Sequence, residues 1–217
     1  MANSNRIEIV SFDVEGTLVT TDFSAAIWFE GIPGDYAARY GLTLAEAEKI
    51  VYDEYARIGD QNMEWYDINY WMKKFDLGSP DKFLARYRDR IHLYPEVVDV
   101  LQSLGEKFKL IVASGTPREF LAHLLKDIEH HFSMIFSSTS DFKSTKNPDF
   151  YYGICRQMYS SAPAIVHVGD NLQFDFHSAA RAGLLAYYLD RKDEQKEGQR
   201  GMKSLTELKD LLLNNPY

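Results

Sequence analysis

Short runs of apolar, largely β-branched residues recur along the chain, and most stop at a polar residue or a glycine. They cover residues 7–12, ending at Asp13; 110–113, ending at Ser114-Gly115; 134–136; 165–168, ending at Gly169-Asp170; and 185–189, ending at Asp190. Runs this short and this apolar read as strands buried on both faces. Between them lie stretches of helical character at 95–104, 117–126, 148–159 and 174–182. Prolines 95, 117 and 148 suit first-turn positions, where the missing N–H costs nothing. The alternation predicts an α/β fold, a parallel sheet covered by helices on both faces.

Residues 23 to 93 break this rhythm. They hold no convincing strand run, but Leu44, Ala47, Ile50, Val51 and Tyr55 fall at helical spacing. Aromatics are dense here, among them Trp28, Phe29, Tyr36, Trp65, Tyr66, Tyr70 and Trp71. A helical subdomain over 21–93, inserted into a core of 1–20 and 94–217, is the simplest account. Most of these rings read as the subdomain's own packing. Trp28, Phe29, Arg39 and Arg118 are the candidates for contact with a substrate, an arginine being suited to grip a second anionic group.

Charge and cysteine content narrow the field. With 24 Lys and Arg against 32 Asp and Glu the net charge is −8, a surface that repels nucleic acid, and the basic stretch 86–90 is broken by Tyr87 and Asp89. The single cysteine, Cys155, forms no internal disulfide, which suits a reducing compartment. The first apolar run meets charge at Asp13 too soon for a signal peptide, and no run of about 18 apolar residues could span a membrane. The expectation is a soluble cytoplasmic protein without nucleic-acid or membrane partners.

Open parallel sheets bind ligands at the carboxyl ends of their strands. Collected there are Asp13, Glu15 and Thr17, then Ser114 and Gly115, then Asp170 and Asp175, with Lys146 ahead of the helix that begins near Pro148. Several carboxylates converging on one crevice call for a cation, and hard oxygen donors point to Mg²⁺ with substrate phosphate. Other signals fall away. His130 and His131 lack an HExxH pattern, His167 sits within a strand, and no P-loop, G-x-S-x-G or G-x-G-x-x-G occurs.

Asp13-Val14-Glu15-Gly16-Thr17-Leu18 resembles the first motif of the haloacid dehalogenase superfamily, and residues 110–115 resemble the second. Lys146-Asn147-Pro148-Asp149 is similar to the third and Gly169-Asp170-x-x-x-x-Asp175 to the fourth. The motifs occur in order over essentially the whole chain, with the insertion where a helical cap of the first type (C1) belongs. The resemblance implies a Rossmann-like three-layer core with an inserted α-helical cap. It further implies Mg²⁺-dependent hydrolysis of a small phosphorylated metabolite. Asp13 would be the nucleophile, Glu15 the general acid/base, and Ser114, Gly115 and Lys146 the phosphate-binding groups. Asp13, the Glu15 carbonyl and Asp170 would hold the metal, with Asp175 in support. Glu15 stands where the family usually has Asp, as in its enolase-phosphatase branch, and Asn147 parts Lys146 from Pro148, which leaves Lys143 as a rival. Rival functions are a haloacid dehalogenase, a phosphosugar mutase and a catalytically silent binding protein.

Overall fold

The computed structural model describes residues 6–59, 62–191 and 201–214. Six parallel strands form one sheet: β1 Ile9–Phe12, β2 Lys109–Ser114, β3 Met134–Ser137, β4 Ile165–Gly169, β5 Leu185–Leu189 and β6 Gly201–Met202, in the order β3-β2-β1-β4-β5-β6. The five runs read from the sequence are the first five strands. The sixth has two residues and no apolar run to announce it. It joins the edge through β5 pairing and an Asp190 N–H bond to the Met202 carbonyl of 2.7 Å.

Alternation along β1, β2 and β4 sends their side chains to two faces. On one, Ile9, Ile111, Ala113 and Ile165 pack with Phe150, Tyr151 and Ile154 of helix Pro148–Met158 and with Ala179 and Ala182. The helices Val97–Gly105 and Leu205–Asn214 bury Val97, Val100, Leu101 and Leu104, and Leu205, Leu208 and Leu212. Of Pro95, Pro117 and Pro148, only Pro148 occupies a first-turn position. Pro117 is the N-cap of Arg118–Leu124, and Pro95 precedes the N-cap Glu96 of Val97–Gly105, so both stand outside their helices. A proline there still forfeits no helical hydrogen bond.

The chain divides into two compact units, one of residues 1–19, 93–115 and 127–217 and one of 20–92 and 116–126. The second unit is helical. Helix Leu44–Ile58 starts at a Thr43–Glu46 capping box and buries Ala47, Val51 and Tyr55, the i, i+4, i+8 stripe, while Leu44 and Ile50 face solvent. Trp71 is fully buried, its indole N–H bonded to the Trp65 carbonyl at 3.1 Å. Trp28 stacks on Phe120 at 5.6 Å and 14° and meets Tyr55 edge-on at 6.0 Å. Phe23, Tyr55, Trp71, Phe75 and Phe83 are buried, Phe29, Tyr40 and Tyr52 are exposed, and Trp28, Tyr36, Trp65, Tyr66 and Tyr70 lie half-buried against neighbouring rings. Arg39 pairs with Asp76 at the surface and Arg118 is exposed.

Candidate active site

The site forms where the strand order reverses. β1 is flanked by β2 on one side and β4 on the other, so the residues just past β1 and β4 leave the sheet side by side. Asp13, 5% exposed, donates its backbone N–H to the Val168 carbonyl at 2.9 Å. The chain then turns tightly: Leu18 and Val19 N–H both bond the Val14 carbonyl, at 2.7 and 3.0 Å, and Gly16 N–H bonds the Val19 carbonyl at 2.7 Å. Gly16 adopts φ +76°, and a Cβ there would collide with Asp170 Oδ2. Glycine is required at this position both for the turn and for room beside Asp170. Glu15 is half-buried on the same turn.

Lys146 is 5% exposed, with Nζ 2.6 Å from Asp13 Oδ1 and bonded also to Asp175 Oδ1. Asn147, which parts it from Pro148, acts locally, its side chain capping helix Pro148–Met158 by accepting the Phe150 N–H at 3.0 Å. Lys143 instead ends helix Ser138–Phe142 in a left-handed conformation and is exposed. Lys146 is thus the lysine in contact with Asp13. Ser114 closes β2 almost fully buried, and an added Cβ on Gly115 would stand 3.9 Å from Lys146 Cε. Thr139 Oγ1 fixes the Gly115 carbonyl at 2.9 Å.

Asp175 is fully buried, and its oxygens are committed. Oδ1 meets Lys146 and His167 Nε2, the latter at 3.2 Å, and Oδ2 accepts the Asn171 N–H at 2.9 Å. Beneath it lies a buried polar chain that the sequence pattern does not reveal beyond placing His167 in a strand. Ser11 Oγ is 2.9 Å from His167 Nδ1, and Tyr151 Oη is 3.1 Å from Nε2. Burial, then the charges of Asp175 and Asp13, raise the Tyr151 hydroxyl well above its ordinary pKa, so it stays protonated and donates to the Phe174 carbonyl at 2.9 Å. Its oxygen therefore accepts, which assigns the His167 proton to Nε2, with Nδ1 accepting from Ser11. Ser11 and His167 face each other because β1 and β4 pair in that register. The signal available in the sequence was a polar residue in each of two adjacent buried strands.

Carboxylate oxygens of Asp13, Asp170 and Asp175 fall within 4.8 Å of one another. Burial pushes Asp13 upward, against the pull of Lys146, and Asp175 adds to the rise. For Asp175 the burial penalty is outweighed by Lys146 and His167, which hold it at about 2. Desolvation, then the charges of Asp13 and Asp175, carry Asp170 to about 7, although solvent still reaches its side chain. Burial alone would lower Lys146, but Asp13 and Asp175 reverse this and keep its ammonium protonated. One cation thus serves three crowded aspartates, a cluster able to hold a metal ion.

A Rossmann-like parallel sheet with a lysine–aspartate cluster at its switch point defines the class of fold and site. Residues 7–183 match the haloacid dehalogenase-like hydrolase family, and the chain belongs to it, a hydrolase family. The fold is similar to that of a HAD phosphatase from Thermococcus onnurineus (TM-score 0.84, 21% identity, 97% of this chain and 100% of that one). It is also similar to 2-haloacid dehalogenase from Pseudomonas syringae pv. Tomato DC3000 (TM-score 0.72, 19% identity, 96% and 99%). A third likeness is the HAD-hydrolase YfnB from Bacillus subtilis, bound to magnesium (TM-score 0.67, 18% identity, 97% and 100%). In sequence, 71 residues are 27% identical to GMP/IMP nucleotidase YrfG of Escherichia coli, 33% of this chain and only 32% of that protein's length. Among the described residues no helix is long and apolar enough to cross a membrane.

Proposed function

We propose that this hydrolase cleaves phosphate monoesters of small metabolites with Mg²⁺, through an aspartyl-phosphate on Asp13. The observation that carries the reading is the protonated Lys146 held 2.6 Å from Asp13 inside a carboxylate cluster. A cation beside a carboxylate nucleophile suits an anionic group in transfer. The donor set fits a hard divalent ion. With both Asp175 oxygens engaged, Asp13 and Asp170 remain as the carboxylate pair, and the Glu15 carbonyl is the third donor the family resemblance implies. Bound there, Mg²⁺ would supply positive charge against the phosphoryl oxygens.

The chain's own groups divide the chemistry. An Asp13 carboxylate oxygen forms a bond to phosphorus as the ester oxygen leaves. Glu15 gives that oxygen its proton. Ser114 and the Gly115 N–H donate to phosphoryl oxygens, while Lys146 offsets their charge. Glu15, now a base, takes a proton from the water that attacks phosphorus, which releases inorganic phosphate and restores Asp13. A dehalogenase would attack carbon with the same aspartate and needs neither the acid at Glu15 nor the metal pair, so both residues favour phosphate.

The test is phosphate release from a panel of small monoesters, with and without Mg²⁺. The nucleotidase likeness, confined to a third of that relative, makes GMP and IMP the first members of the panel. Metal-dependent release that Asp13→Asn abolishes supports the reading. Absence of release from every ester, with turnover of chloroacids, overturns it.

A further inference from the structure

Arg191 follows β5, outside every motif of the site, yet its guanidinium reaches the turn that carries Glu15. Nε donates to the Gly16 carbonyl at 3.2 Å and one terminal nitrogen to the Thr17 carbonyl at 2.8 Å. The other terminal nitrogen pairs with Glu96 Oε1 at 2.7 Å, the two side chains being 15% and 17% exposed. The flat face of the fork lies 3.6 Å over the Tyr94 ring. Glu96 Oε1 also accepts the Leu205 N–H at 3.4 Å, and Tyr94 N–H bonds the Leu18 carbonyl at 3.1 Å.

We infer that Arg191 is a positioning residue for the Glu15 turn, fixing the Gly16 and Thr17 peptides against Asp170 through a fork anchored on Glu96 and Tyr94. The turn's internal bonds use the Val14 and Val19 carbonyls as acceptors. Those of Gly16 and Thr17, on two buried residues, are taken by Arg191 instead, and a buried carbonyl left without a donor is costly. Gly16 is also the residue whose Cα faces the Asp170 carboxylate. Holding its peptide therefore sets both the reach of Glu15 and the seat of Asp170. Because Glu96 cancels the charge of Arg191, the pair acts through geometry rather than through added positive potential. A lysine keeps the charge but has neither the three-nitrogen fork nor the flat face. The inference rests on the roles proposed for Glu15 and Asp170.

The test uses the full chain and the variants Arg191→Ala and Arg191→Lys. Amide hydrogen exchange is followed in peptides covering residues 14–19 and in the strands, alongside kcat and KM for the best phosphate ester of the panel. Exchange in the turn is expected to rise about tenfold in Arg191→Ala while β1, β2 and β4 hold their protection. kcat falls about 10- to 100-fold with KM within about threefold, since the phosphate-binding groups are untouched. Arg191→Lys fails to restore kcat, and millimolar guanidinium partly rescues Arg191→Ala. Unchanged exchange in the turn overturns the inference, as does a lysine variant equal to wild type or a uniform loss of protection across the sheet. A wild-type chain that releases no phosphate overturns the phosphatase reading alone, and the exchange pattern then decides Arg191.

Discussion

Asp13 and Lys146 stand 133 positions apart in the chain and are joined by a 2.6 Å ion pair with side chains only 8% and 6% exposed. Removing one partner of such a pair leaves the other buried and uncompensated. Lys146→Met is therefore expected to destabilise the protein by about 3 to 5 kcal/mol. Adding Asp175→Asn to that variant relieves part of the loss, because the stranded negative charge is then reduced. Urea unfolding of the two single variants and the double measures the coupling, and strict additivity would contradict it.

Glu15→Gln removes the proposed proton donor but leaves Asp13 and Lys146 in place. Turnover is expected to fall about 10²- to 10⁴-fold. With a good leaving group the first displacement persists while hydrolysis stalls, so phosphorylated enzyme accumulates. Acid-quenched intact mass detects it, and a variant that turns over at the wild-type rate would remove Glu15 from the mechanism.

Asp170 gives the proposed metal site a pH dependence. Its folded-state pKa, about 7, lies above the ordinary carboxylate value. Its protonation therefore favours the folded metal-free protein at low pH, and that contribution is lost as pH rises through about 7. A divalent cation competes with the same proton, so Mg²⁺ is expected to bind more tightly at pH 8 than at pH 6. Thermal unfolding with and without Mg²⁺ at the two pH values should show the larger metal-induced rise in Tm at pH 8. A larger rise at pH 6 would contradict the assignment.

At Gly16 an added side chain meets the Asp170 carboxylate. Gly16→Ala must place a Cβ where Asp170 Oδ2 now stands and adopt a left-handed conformation, a strain of about 1 to 3 kcal/mol. Calorimetric titration should find Mg²⁺ affinity reduced along with stability. Affinity unchanged from wild type would show that Asp170 can move away without consequence for the metal.

Tyr151→Phe removes one hydroxyl that serves both the Phe174 carbonyl and His167 Nε2. A loss of about 1 to 3 kcal/mol is expected from the unmet buried groups. Denaturant unfolding reads it directly, and a neutral result would mean that the carbonyl finds another donor.

Most of the sheet was legible because its central strands are buried on both faces, which makes them nearly continuous apolar runs, and β1, β2 and β4 end beside residues of the site. Asp13, Asp170 and Asp175 could be collected from those ends without coordinates, and Lys146 from the segment ahead of Pro148; the convergence of the three aspartates follows from the pairing of β1 with β4. What stayed hidden depends on register and on irregular backbone. Ser11 and His167 look like isolated polar residues until β1 and β4 pair. Arg191 lies beyond the last apolar run, with nothing local to mark what its fork reaches. The helical unit was legible as helical, but Leu44 and Ile50 shared a spacing with the buried stripe and still face water. A single helix's period admits more apolar positions than its neighbours cover.

The pairing of β1 with β4 has a consequence for synthesis. Asp13 leaves the ribosome well before the strand that brings Asp170 and Asp175 beside it, which lies more than 150 residues later. A truncated or nascent chain ending before β4 has Asp13 and Lys146 but lacks two of the three clustered aspartates. Onset of activity would therefore report that β4 has been made and threaded into the sheet beside β1. A product that stops short of β4 would not hold the full cluster.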